Sequence, residues 1–132
     1  MAQKNEVWTN LGLLWLRALM GAGIAYHGYQ IIFGGGMDGL IQGVEKMGFP
    51  IPQVFAWAAA LSEFVGGVFI VFGLWTRYAA LAVLTTMGVA FFIAHKHDPL
   101  KVKELAAAYA TIAGALLLIG AGSFSLDAKM GK

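Results

Sequence analysis

The chain has 132 residues, of which 59% are hydrophobic and only 12% charged, with nine Lys and Arg against seven Asp and Glu. Its mean hydropathy is +0.72. An ordinary soluble domain carries about 25% charge, so this composition cannot clothe an aqueous surface. It is also too apolar for a disordered chain. The net charge of +2 is spread thinly and forms no basic stripe, which excludes a nucleic-acid partner. The absence of cysteine excludes disulfides, thiol redox chemistry, thiolate zinc sites and iron–sulfur clusters. A small integral membrane protein, with the lipid bilayer as its main partner, remains.

A spanning helix needs about 20 mostly apolar residues. Stretches near 11–33, 54–74, 78–94 and 105–120 meet that need. None alternates with period two, which argues against a β-barrel, and lipid leaves the backbone no partner but itself. The expected fold is all-α. It is one domain over 1–132, a four-transmembrane-helix up-down bundle. The first span is not a cleavable signal: it is too long, and Arg17 interrupts it.

Between the first two spans, Gly34, Gly35 and Gly36 stop the first helix. Met37, Leu40, Ile41, Val44 and Met47 then fall on one helical face, with Asp38, Gln42, Glu45 and Lys46 on the other. This spacing predicts a short interfacial amphipathic helix between helices 1 and 2. It serves either as a plain lid on the bundle or as an access gate for a lipid-soluble molecule. Thr76-Arg77 is the expected link of a tight antiparallel hairpin between spans two and three. The polar tail at 123–132 is expected to leave the membrane. Trp8, Trp15, Tyr26, Tyr29, Trp57, Trp75 and Tyr78 fall mostly near span ends, as an aromatic belt does. Ala56, Ala60 and Gly67 on the second span, and Ala106, Ala110 and Gly114 on the fourth, are small enough for close helix approach.

Orientation rests on few charges. With both termini on one side, that side carries Lys4, Arg77, Lys129 and Lys132, against Lys46, Lys96, Lys101 and Lys103 on the other. Arg17 tips the balance toward cytoplasmic termini in a multi-pass protein of the cytoplasmic membrane.

Ionisable groups within the spans are costly and call for a reason. Glu63 lies deep in the second span and must be paired or protonated there. At 1.5 Å per residue, His27 is roughly 9 Å and Glu63 roughly 14 Å from the same side. His95 ends the third span on that side, and Tyr109 comes one turn into the fourth. His27, Glu63, His95 and Tyr109 are thus a candidate intramembrane polar site. A simple His27–Glu63 pair tying two helices is the plainer version. Arg17 and Arg77 lie toward the other side, with Asp127; a structural ion pair of Arg17 or Arg77 with Asp127, tying the tail to the bundle, is expected, and snorkelling to headgroups is the alternative for both arginines. His95-Lys96-His97-Asp98 invites a metal reading, but histidine ligands need supporting groups that the stretch does not supply. No metal is assigned.

Three stretches together are similar to a known family: Arg17 followed by His27-Gly28-Tyr29-Gln30-Ile31-Ile32-Phe33-Gly34; Glu63-Phe64-Val65-Gly66-Gly67 through Gly73-Leu74-Trp75-Thr76-Arg77; and Gly120 to Gly122 with Ser125-Leu126-Asp127. Their order resembles the DoxX family of small four-helix membrane proteins, over nearly the whole chain. The resemblance implies a helical bundle in the cytoplasmic membrane. Some relatives resemble the membrane subunit of a thiosulfate:quinone oxidoreductase, and others are linked with redox homeostasis complexes. His27 and Glu63 match the family's inner polar pattern; the third link matches nothing transferable.

The leading expectation is the membrane subunit of a quinone-linked redox system. A quinone headgroup calls for a hydrogen-bond donor and a protonatable group in an apolar cleft, and His27 and Glu63 supply them, with Tyr109 or His95 assisting. No haem, flavin or metal motif is present, so electrons would come from a soluble redox partner subunit. The chain would be at most the membrane subunit of an oxidoreductase, alone or as a homo-oligomer. Two alternatives stand. One is a structural or assembly subunit without chemistry of its own. The other is a small proton-coupled transporter, similar in outline to the small multidrug-resistance exporters, although those keep their acid in the first helix.

Overall fold

A computed structural model describes residues 2–94 and 100–131 of the chain. Every regular element among them is helical: α1 (Ala2–Phe33), α2 (Met37–Lys46), α3 (Pro52–Phe72), α4 (Thr76–Val89), a π-helical turn (Ala90–Ala94), α5 (Leu100–Ile119) and the short α6 (Leu126–Lys129). Among the described residues two stretches, Pro52–Phe72 and Thr76–Ile93, are long and apolar enough to cross a membrane by composition, against the four expected from sequence.

The elements depart from expectation chiefly at their ends. α1 starts well before residue 11, and α5 starts at Leu100 rather than near 105. The polar residues there continue the helix because nothing in 2–10 or 100–104 breaks one. The α3–α4 link is Gly73-Leu74-Trp75, with Thr76 already helical. Gly73 closes α3 in the left-handed conformation (φ 67°), where a glycine carries no Cβ penalty. Trp75 adopts the same region at φ 46°, strained for a bulky residue and held by the contacts described below. The tail does not leave the bundle. It folds back as α6 with Ser125 and Asp127 buried.

α1 packs on α3, α3 on α4 and α4 on α5, whereas α1 meets α5 only sparingly. One apolar core joins them, from Leu13, Met20 and Ile24 of α1 to Ile70 of α3, Val83 and Met87 of α4, and Ala113 and Leu116 of α5. In lipid such packing acts through close van der Waals contact rather than exclusion of water. The α1–α3 seam shows it. A Cβ on Gly67 would lie 2.5 Å from the Ala25 backbone nitrogen, and one on Gly28 would lie 2.5 Å from that of Phe64. The two backbones therefore touch wherever a side chain is missing. The α5 stripe does less, since a Cβ on Gly114 would meet nothing within 4 Å.

α2 follows the sequence pattern. Val44 is buried, while Asp38, Gln42, Glu45 and Lys46 are exposed. It lies mainly against α3. The seven belt aromatics are all exposed, as are Leu19, Leu81 and Leu118, an apolar outer surface that suits lipid.

Candidate functional site

Each half of the bundle buries one charged side chain of α1 or α3, and the two are satisfied differently. Arg17 is 1% exposed. Its guanidinium offers five N–H donors, and five hydrogen bonds use them. Nε donates to the Ile70 carbonyl at 3.1 Å, and Nη2 to that of Val71 at 3.3 Å. Nη1 donates to Ala121 at 2.7 Å, and both Nη atoms donate to the Phe124 carbonyl at 3.0 Å. The last carbonyls of a helix lack intrahelical partners, so Arg17 caps the C-terminal end of α3 and holds the tail against it.

Asp127 does the converse for α4. Its Oδ1 accepts from the Trp75 backbone N–H at 2.6 Å and its Oδ2 from that of Thr76 at 2.9 Å. The carboxylate thus sits at a helix N-terminus, where orphan N–H groups and the helix dipole favour an anion. Neither arginine forms an ion pair with Asp127 among the described residues. Arg77 instead donates to the Leu118 and Ile119 carbonyls at the end of α5. The expected ion pairs are therefore replaced by arginine-to-carbonyl and carboxylate-to-amide bonds. These groups still tie the tail to the bundle, because helix ends present the nearest unmet partners.

Toward the other end lie His27 and Glu63. Gly28 lets the α1 backbone press against Ala60 and Phe64 of α3, which sets the neighbouring His27 beside Glu63. His27 Nδ1 and Glu63 Oε2 are 2.9 Å apart. Glu63 is 4% exposed, whereas the His27 side chain is 58% exposed. The other carboxylate oxygen, Oε1, has no partner among the described residues and is not sealed within protein.

Both residues line a cavity of about 630 Å³. Its walls are apolar: Ile24 and Ile31 from α1, Leu40, Val44 and Met47 from α2, Phe55 from α3, and Met87 and Ala90 beside the π turn. Its polar members are His27, Ser62, Glu63, Thr85, Thr86, Lys103 and Tyr109. A π turn widens a helix and recurs at functional sites; here it borders the cavity through Ala90. Lys103 stands 4.5 Å over the Phe91 ring. The volume and the sparse polar lining are those of a site for a small, mostly apolar ligand.

Of the four site residues expected from sequence, the structure brings His27 and Glu63 into contact and places Tyr109 on the same cavity. Tyr109 makes no hydrogen bond to either among the described residues. Its hydroxyl instead fits against Gly23, where a Cβ would lie 2.5 Å away. His95 lies outside the described residues, as does the His95-Lys96-His97-Asp98 stretch. No cluster of His, Asp or Glu suited to a metal ion occurs among the described residues. Sequence reasoning missed Thr85, Thr86 and Lys103. The threonines carried a faint signal, as an adjacent hydroxyl pair in an otherwise apolar span.

Wholly helical described residues, an apolar exterior and two helices long and apolar enough to cross a bilayer are the features of a helical membrane protein. The chain belongs to the DoxX family, whose model matches residues 12–96. The match runs from within α1 through the π turn and so includes Arg17, His27 and Glu63; Tyr109, Gly120 and Asp127 lie beyond it. Comparison with curated proteins and with solved structures gives no match.

Proposed function

We propose that this DoxX protein is the multi-pass membrane subunit of a quinone-linked redox system. In this reading α1, α3, α4 with its π turn, and α5 are the four spans of an up-down bundle in the cytoplasmic membrane. α2 lies in the interface, and both termini are cytoplasmic. One observation carries the reading: a buried carboxyl, hydrogen-bonded to an imidazole, stands on the wall of an otherwise apolar cavity of about 630 Å³. Such a wall holds a ring headgroup by hydrogen bonds while the apolar sides take its substituents and tail. The His27–Glu63 pair has a proton to exchange within hydrogen-bond reach of the ring. Electrons come from a soluble partner subunit.

The test is photolabelling of the purified protein, in mild detergent, with an azido-quinone. Labelling of α3 near Glu63, competed by unlabelled quinone and lost in Glu63→Ala and His27→Ala variants that remain folded, supports the reading. Labelling unchanged by both substitutions removes the assignment.

A second reading has its own observation. The His27–Glu63 bond crosses the α1–α3 seam where Gly28 and Phe64 touch, as a purely structural tie would. That assembly role predicts a lower melting temperature in His27→Ala with no change in quinone labelling.

A further inference from the structure

The hydrogen-bonding roles left open on the cavity wall are unequal. Glu63 shares one proton with His27 through Oε2. Whether that proton sits on Nδ1 or on Oε2, the free Oε1 can only accept. The imidazole Nε2 accepts only when His27 is neutral with its proton on Nδ1; it donates when Oε2 holds the shared proton or when the imidazole is doubly protonated. On the facing wall, the Thr85 hydroxyl donates to the Leu81 carbonyl at 2.9 Å and that of Thr86 to Ala82 at 3.0 Å. With their protons engaged, these oxygens too can only accept. Lys103 and Tyr109 are donors on the α5 side, and the hydroxyl of Ser62 turns either way.

From this inventory of mixed donors and acceptors we infer that the cavity holds the quinol, whose ring hydroxyls both donate and accept, more tightly than the quinone, whose carbonyls only accept. The inference rests on the quinone-site reading and narrows it to one redox form. A quinol hydroxyl donates a hydrogen bond to Glu63 Oε1 or Thr86 Oγ1, and its oxygen still accepts from Lys103 or Tyr109. A quinone satisfies the α5 donors but sets its carbonyl lone pairs against the acceptor wall. Acceptors on an apolar cavity wall that lose solvent to a ligand without a matching donor disfavour that ligand more strongly than a lost apolar contact does.

The experiment measures binding to the full chain in lipid nanodiscs under anaerobic conditions, with three probes: a decyl-benzoquinone, the same compound reduced to its quinol, and decylbenzene. The expected result is quinol binding about tenfold tighter than quinone, equivalent to one hydrogen bond, with decylbenzene weaker than both. Quinone binding equal to or tighter than quinol overturns this inference and leaves the quinone site standing. Binding of both rings no better than decylbenzene overturns the site as well. Glu63→Gln puts an N–H donor in place of the acceptor and is expected to bring the quinol-to-quinone ratio near one. Thr86→Val, which keeps the side chain's shape, is expected to lower the ratio a few-fold and carries the test should Glu63→Gln not fold. A tenfold ratio that survives in both variants overturns the acceptor-wall account.

Discussion

Arg17 and Glu63 are both buried, about as deep as a charged residue is found in either half of this bundle, yet their surroundings differ in kind. Around Arg17 every donor meets a carbonyl, and Gly73 and Phe124 close in on the guanidinium. Around Glu63 one oxygen is bound and the other faces open space. A buried charge whose hydrogen bonds are complete is a fastener. One left partly unmet beside a cavity is available to a ligand. Burial alone does not separate the two; the count of unmet groups does.

Substitutions can break or sharpen that contrast. Arg17→Leu should have the largest effect, because it leaves several carbonyls of α3 and the tail unmet. A loss of about 3 kcal/mol or more is expected, read as a marked fall in melting temperature in detergent, with Lys as a poor substitute because an ammonium cannot span the same carbonyls. A minor effect would show that the fastener is dispensable. Gly67→Val comes next, at about 2–3 kcal/mol, since its side chain meets the α1 backbone rather than a movable atom; cross-linking between α1 and α3 should fall with it. Asp127→Ala removes the acceptor for two N–H groups at the start of α4 and should cost about 1–2 kcal/mol by denaturant titration. Glu63→Gln should be mildest, under about 1 kcal/mol, because an amide replaces the carboxyl at equal size. A drop as large as that of Arg17→Leu would place Glu63 among the fasteners and erase the contrast.

Much of this arrangement was legible in the residues. The 3.6-residue pattern of Met37, Leu40, Ile41 and Val44 located α2, and counting rise from the helix ends brought His27 and Glu63 to one depth. What stayed hidden depends on chain ends and backbone. Arg17 looked in need of a carboxylate, and Asp127 was the nearest candidate in sequence logic. The actual partners are main-chain carbonyls and amides, which every residue carries and which no pattern of side chains reveals. The threonines showed only as a hydroxyl pair; their acceptor-only role was hidden, because it depends on where their own protons point. His95 joined the candidate site on depth alone, and its stretch falls outside the described residues.

The tail lock also bears on how the protein is made. Residues 121–127 are translated after every helix they fasten. While α1 and α3 are already pairing through Gly21, Gly28 and Gly67, the Arg17 guanidinium still lacks Ala121 and Phe124. The fastening of α1 to α3 is therefore completed only once the 121–127 segment has been made and has folded back onto them.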